Sequence, residues 1–348
     1  MSIDPKKQSS QKALEKIQRR KQNVSSIEEL FTQIKSGSIK ALSEAITLCE
    51  SSRISDQHQA AQLLQLCSSG SKKSIRIGIT GVPGVGKSTL IESFGKSWIV
   101  DGHKVAVLAV DPSSQKSKGS ILGDKTRMES ISVDPNAFVR PTAANESLGG
   151  VAARTREAII LCETAGFDVI LVETVGVGQS EIAVKSMVDY FLLLMLSGAG
   201  DELQGIKRGI MEMADGIAIT KVDGDNLKKA KRAQGELKSA LHLFPISENG
   251  WYPEVLMTSA YDGIGLIELK ENIRTYFQTL GESGWITKQR GQQNVYWFKS
   301  MLNSMALTYF KSHPDIEKPL QEISAAVEIQ KMDPQMAIKK VQEILGLS

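Results

Sequence analysis

From residue 75 to about 281 the chain alternates short apolar runs with longer stretches that carry apolar residues at helical spacing. The runs at 75–80 (IRIGIT), 104–111 (KVAVLAVD), 137–141 (AFVRP), 167–174 (FDVILVET), 189–196 (DYFLLLML), 215–223 (DGIAITKVD) and 254–260 (EVLMTSA) predict β-strands. The stretches from about 87 to 100, at 148–166, within 202–214, at 226–244 and at 265–281 predict helices. Most of the strand runs are nearly continuous in apolar residues, as expected when helices cover both faces of a sheet. Alternating β and α units predict an α/β fold with a doubly wound, mostly parallel sheet. Ligands of such sheets bind at the carboxyl ends of the strands.

The flanks read differently. Residues 1–70 show helical spacing in IEELFTQIKSG and IKALSEAITLCESS, with Gly37 and Gly70 as expected stops. After GESGW the chain predicts a long helix at 290–312, broken by His313-Pro314, then one or two helices over 316–346 with Pro334 as a start. The expected organisation is a helical extension over 1–70, a nucleotide-binding domain over 71–282 and a helical arm over 283–348.

Composition narrows the classes. A net charge of +3 over 348 residues gives no reason to expect nucleic acid or a membrane as the main partner. No apolar run approaches the roughly 18 residues of a membrane helix. The longest, Tyr190–Leu196, fits a buried strand. The basic N-terminus lacks the apolar centre of a secretory signal, and Asp4 and Glu15 argue against a transit peptide. Cys49, Cys67 and Cys162 are far apart and form no C-x-x-C pair, so a cytoplasmic, reducing setting is expected and a zinc site is not. The four histidines are scattered and read as structural or surface residues.

Chemistry enters at Gly81-Val82-Pro83-Gly84-Val85-Gly86-Lys87-Ser88-Thr89, which contains the G-x-x-x-x-G-K-[ST] phosphate-binding pattern between a strand and a helix. Its glycines let backbone N–H groups face phosphates, and the helix N-terminus adds a favourable partial charge. Lys87 is expected to reach the β- and γ-phosphates and Ser88 to offer its hydroxyl to Mg²⁺. Two strands end in carboxylates, Asp111 and Glu173, placed to hold Mg²⁺ directly or through water. Thr220-Lys221-Val222-Asp223 matches [NT]-K-x-D. The Asp223 carboxylate can accept from guanine N1–H and the exocyclic amine, a donor pair that adenine lacks. Ser259-Ala260-Tyr261 resembles the S-A-K/L motif whose backbone N–H meets guanine O6, with Tyr a departure in third place. GTP and GDP are therefore expected rather than ATP. Gly176 lies where a second switch senses γ-phosphate, and residues 197–215 form a second glycine- and charge-rich segment that a small GTPase has no need for.

GVPGVGKST, VDPSS, GSILGDKTRM, RPTAANESLGGVAARTREAI, VETVGVGQSE, SGAGDELQGIKRGIMEMADGIAITKVDGDN and MTSA occur in that order from about 75 to 260. In this the chain resembles the MeaB/ArgK/MMAA family, metallochaperone-type P-loop GTPases that serve adenosylcobalamin-dependent methylmalonyl-CoA mutase. The resemblance implies a slow GTPase that the mutase accelerates, and that gates cofactor delivery and protects the mutase. It implies Asp111, Asp124 and Glu173 around Mg²⁺ and the γ-phosphate. It also implies an extra switch over 197–209 that includes Asp201, Glu202 and Lys207, and a C-terminal homodimerisation arm. Lys207 is implied to approach the nucleotide or signal to the mutase; as a residue it reads equally as a solvated helix charge. Gln179 invites comparison with a water-positioning glutamine, although its offset from Gly176 weakens the match. The D-x-H-x-x-G signature of cobalamin-binding domains is absent, so no direct cobalamin site is expected. The competing readings are a P-loop kinase or ATPase linked to amino-acid transport, a nickel-delivery GTPase, and a chaperone of a related acyl-CoA mutase. The guanine motif opposes the first, and the lack of a Cys/His cluster opposes the second.

Overall fold

The computed structural model describes residues 26–68, 74–110, 128–142, 148–174, 180–197 and 208–347. Seven strands form one sheet: β1 (Ile75–Gly81), β2 (Val105–Val110), β3 (Ala137–Thr142), β4 (Val169–Thr174), β5 (Tyr190–Leu196), β6 (Gly216–Thr220) and β7 (Glu254–Met257). Every pairing is parallel and the spatial order is β3-β2-β4-β1-β5-β6-β7. From β1 the chain passes to β2 and then β3 on one side, returns as β4 between β2 and β1, then crosses to β5 and builds outward on the other side. The topological switch point therefore lies at β1, where a ligand crevice is expected. Among the described strands β3, which contains Pro141, pairs only with β2, an edge position that tolerates the missing N–H.

Helices cover both faces. α4 (Lys87–Val100) and α10 (Leu266–Glu282) pack Phe94, Trp98, Leu269, Ile273 and Tyr276 against Ile77, Ile79, Leu192 and Leu194. α8 (Arg208–Met213) and α9 (Leu227–Leu241) pack Met211, Ala230 and Leu237 against Leu193, Met195, Ile217 and Ile219. Successive residues of β5 thus feed opposite cores, and this is why Tyr190–Leu196 reads as unbroken apolar sequence. α7 (Ser180–Lys185) lies against β1 so closely that a Cβ on Gly78 would sit 2.8 Å from Val184.

Three N-terminal helices, α1 (Ile27–Lys35), α2 (Ile39–Cys49) and α3 (Ile54–Cys67), pack on one another and on α6 (Leu148–Thr164). Ser26 and Glu29 close a capping box at the start of α1, and Ser38 caps α2. An Arg140–Glu50 ion pair of 2.6 Å ties α2 to β3. Burial pushes the Cys49 and Cys162 thiols well above their ordinary range, and Cys67 is buried as well. None of the three should react with a thiol reagent at pH 8 in the folded protein, whereas all three should react in denaturant; a disulfide-exchange dye counts them.

Three elements differ from the sequence pattern, the first being α7, a six-residue helix where no helical stretch is expected. A four-residue helix, α5 (Glu129–Ser132), is too short to leave a periodic signal. The long helix α11 begins at Trp285 rather than 290 and runs to Ser312; Gly291 lies inside it, as one glycine costs a long helix only about 1 kcal/mol. The chain divides into two compact units, one ending at Gln289 and one running from Arg290. The second holds the rest of α11 with α12 (Pro314–Glu328) and α13 (Pro334–Ile344), which pack on each other. Among the described residues no helix is long and apolar enough to cross a membrane.

Away from the nucleotide motifs, Asp215 precedes β6 as a buried carboxylate. It forms a 2.5 Å ion pair with Lys185 at the end of α7 and accepts from the Phe191 N–H at 2.8 Å. Its own N–H donates to Phe191 O, and its carbonyl accepts from Trp251 Nε1. Burial raises its carboxyl above the ordinary range, against the opposing pull of Lys185.

Candidate functional site

The nucleotide motifs converge at the carboxyl end of the sheet around β1. β1 ends at Gly81, and the loop 82–86 leads into α4, whose N-cap is Gly86 with φ +98°. That left-handed turn suits glycine and aims the first N–H groups of α4 outward, a geometry that receives phosphate. Lys87 is buried beneath the loop, where its Nζ donates to the carbonyls of Gly81 (2.7 Å) and Val82 (3.2 Å). Burial lowers its pKa, and the carboxylates of Glu173 and Glu181 oppose that shift. An ammonium already largely withdrawn from water is ready to exchange carbonyl partners for phosphate oxygens.

β4 neighbours β1 in register, with Glu173 opposite Ile79. This brings Glu173 Oε1 to 3.0 Å from Ser88 Oγ. A hydroxyl and a carboxylate at this spacing are hard oxygen donors of the kind Mg²⁺ prefers. Thr174 donates to Thr80 (2.8 Å), a buried rung that locks the ends of β4 and β1 together.

The [NT]-K-x-D segment follows β6. Thr220 Oγ1 donates to Val85 O at 2.7 Å, with Met195 O a weaker second acceptor at 3.3 Å. Threonine in the asparagine position therefore retains the tie to the phosphate loop with a single hydroxyl. Thr220→Val keeps the shape and orphans a loop carbonyl, at a cost of about 1–2 kcal/mol. GDP affinity measured by calorimetry should fall roughly 5- to 30-fold. Lys221 adopts φ +57°, rare for a side-chain-bearing residue, and its Nζ donates to Gly84 O at 2.8 Å. Its stem lies across the loop, with Cε 3.8 Å from where a Cβ on Gly86 would be. Asp223 accepts from Ser259 Oγ at 2.9 Å, which fixes one carboxylate oxygen. Val85, Gly86, Thr89, Leu90, Thr220, Lys221, Asp223, Ala260 and Tyr261 line one pocket of about 280 Å³. All five guanine-directed positions read from sequence thus gather there: four line the pocket and Ser259 supports Asp223 from behind.

Asp111, Asp124, Gly176, Gln179, Asp201, Glu202 and Lys207 lie outside the described residues. The structure adds one residue that sequence reasoning missed. Glu181, buried in the first turn of α7, is a negative charge that together with Glu173 opposes the burial-driven fall of the Lys87 pKa. In sequence it reads as an ordinary acid complementing a helix N-terminus.

A lysine-bearing phosphate loop joined to a pocket that ends in a positioned carboxylate defines a P-loop GTPase, an enzyme that binds and hydrolyses GTP. The family model described as "Methylmalonyl Co-A mutase-associated GTPase MeaB" matches residues 42–315, and the chain belongs to that family. A probable GTPase of Mycobacterium tuberculosis is 46% identical over 92% of this chain and 96% of its own length. The mouse protein named methylmalonic aciduria type A homolog, mitochondrial, is 46% identical over 85% of this chain and 74% of its own length. Escherichia coli GTPase ArgK is 40% identical over 93% and 98%. A crystal structure described as a LAO/AO transport system kinase superposes with a TM-score of 0.73 at 34% identity, covering 93% of this chain and 99% of that one.

Proposed function

We propose that this GTPase is a chaperone of a cobalamin-dependent acyl-CoA mutase, methylmalonyl-CoA mutase first among them, which uses GTP to gate adenosylcobalamin loading and to protect the loaded enzyme. The observation that carries the reading is family membership over residues 42–315, in a family whose description names the mutase. A kinase role in amino-acid transport has only a relative's name behind it, and a carboxylate at the base end of the pocket favours guanine over the adenine of ATP.

In this reading Lys87 leaves the Gly81 and Val82 carbonyls for the β- and γ-phosphates, and the N–H groups of 82–89 cradle them. Ser88, Glu173, Asp111 and Asp124 would hold Mg²⁺, which when bound supplies charge neutralisation at the phosphates. Lys221 and Asp223 hold the base, and Ala260 and Tyr261 offer backbone N–H to guanine O6. Gly176, Gln179, Asp201, Glu202 and Lys207 are assigned to two switches whose arrangement differs between GTP and GDP, and the mutase binds the two states unequally. Lys87, Asp124 and Lys207 are assigned to hydrolysis itself. Turnover is slow alone and faster with the mutase, because no arginine finger is evident in the sequence. No direct cobalamin site is assigned, and the expected setting is cytoplasmic.

The C-terminal helices, from about residue 283, are assigned as a homodimerisation arm. On α11, Val295, Phe298, Leu302, Met305 and Tyr309 repeat at spacings of 3, 4, 3 and 4, and each is 46–66% exposed in the single chain. A seam of that spacing suits a second copy of the same helix. Two tests bear on the reading. Loading of adenosylcobalamin onto apo-mutase should depend on whether the chaperone carries hydrolysable GTP or a non-hydrolysable analogue, and identical loading with either would contradict it. Sedimentation should give a dimer, and Met305→Glu should give a monomer.

A further inference from the structure

Tyr261 is 91% exposed, yet it lines the same pocket as Lys221, Asp223 and Ala260. Its side chain makes no hydrogen bond and no ring contact with another described residue. The segment that carries it is nonetheless built. Ser259 and Ile264 form an antiparallel bridge, Ser259 N–H donates to Ile264 O at 2.9 Å, and Asp262 N–H donates to Ser259 Oγ at 3.3 Å. Gly265 then closes the turn at φ +71°, where a Cβ would come within 1.9 Å of Met257 O. A backbone held this firmly presents an aromatic ring at the mouth of a pocket with no described residue stacked on it. The other pocket side chains are short or aliphatic, apart from the Asp223 carboxylate and the Lys221 stem, which is itself held to Gly84.

We propose that the Tyr261 ring is a stacking lid for the purine base, and that it sets how long GDP stays bound. The proposal rests on the GTPase reading of this pocket and deepens it. The motif at 259–261 requires only a backbone N–H from the third residue. The ring adds a second contact, to the face of the base rather than its edge. Stacking of a base on an aromatic side chain is tolerant of base identity, so the ring contributes residence time, while the choice of guanine stays with Asp223.

The test is GDP release from the full chain, followed by chasing a fluorescent GDP analogue with excess GDP. Because the side chain is exposed, its replacement leaves the core untouched, and thermal unfolding without nucleotide checks this. Tyr261→Ala should release GDP roughly 5- to 100-fold faster, and Tyr261→Phe should restore slow release, since the ring and not the hydroxyl makes the stack. Tripolyphosphate, which has no base, should compete equally with both variants. A Tyr261→Trp variant supplies an independent readout: the emission it adds over wild type should be quenched by GDP and not by tripolyphosphate. Release from Tyr261→Ala within twofold of wild type, or added Trp emission indifferent to GDP, overturns the lid. Failure of the wild-type chain to bind GDP at all would instead overturn the GTPase reading beneath it.

Discussion

Asp223→Asn should weaken GDP and GTP binding by about 10²- to 10⁴-fold and make xanthine nucleotides the better ligands. Asp223 ends the pocket as an acceptor pair, with one oxygen fixed by Ser259. Guanine presents N1–H and an exocyclic amine, and each hydrogen bond to a charged group contributes about 1.5–3 kcal/mol. An amide cannot accept twice, and its NH₂ faces the guanine amine donor to donor. Xanthine carries a carbonyl where guanine carries that amine, so it meets the amide as acceptor to donor. Titration calorimetry with GDP, ADP and xanthosine diphosphate reads all three affinities. An Asp223→Asn variant that still preferred GDP would remove Asp223 from base selection, whatever the fold.

Lys185→Met should destabilise the sheet unit by about 3–5 kcal/mol, the cost of leaving a buried carboxylate without its cation. Asp215 is almost inaccessible and keeps Lys185 at 2.5 Å. Asp215→Asn should cost less, because Lys185 is partly exposed and can turn to water. The double variant should recover part of the Lys185→Met loss, since it removes the stranded charge. The pH dependence has a definite sign. Burial raises the Asp215 carboxyl above its ordinary range. The folded state therefore holds this proton more tightly than the unfolded chain does. The group's contribution is fully favourable below the unfolded pKa and is lost as pH rises through the folded one. Losing Lys185 raises the folded pKa further, so the deficit of Lys185→Met should shrink as pH falls from 8 toward 5. Urea unfolding followed by tryptophan emission measures this, with Trp251, whose indole donates to Asp215 O, beside the pair. A deficit that grew on acidification would contradict a stranded Asp215 charge as its cause.

What the sequence makes legible is local. The alternation of strand and helix comes from burial on both faces, and Tyr190–Leu196 carries it in seven residues. The phosphate loop and Thr220–Asp223 are contiguous segments whose spacing encodes backbone turns, so their place at strand ends can be read from the residues alone. Glu173 reads as a strand-end acid, but its 3.0 Å approach to Ser88 depends on the β1–β4 register. What escapes the sequence is long-range. Glu181 acts on Lys87 electrostatically only because α7 lies on β1. Lys185 and Asp215 are thirty residues apart with no pattern joining them. Tyr261 reads as a mild departure from a motif, because nothing in sequence distinguishes an aromatic packed inward from one left at a pocket mouth. The start of α11 is obscured by GESGW, whose Gly281 and Gly284 punctuate the chain immediately before Trp285, where the helix of 28 residues begins.

A guanine nucleotide at the carboxyl end of the sheet, and a mutase as the reader of its state, are the two halves of the proposed function. Steady-state GTP hydrolysis, measured with and without the cobalamin-dependent acyl-CoA mutases of the same organism, tests both at once. The expected result is slow hydrolysis of GTP but not ATP by the protein alone, and a clear acceleration by one of those mutases that is lost in Lys87→Ala. Equal hydrolysis of ATP, or a GTP rate that none of the mutases changes, would contradict it.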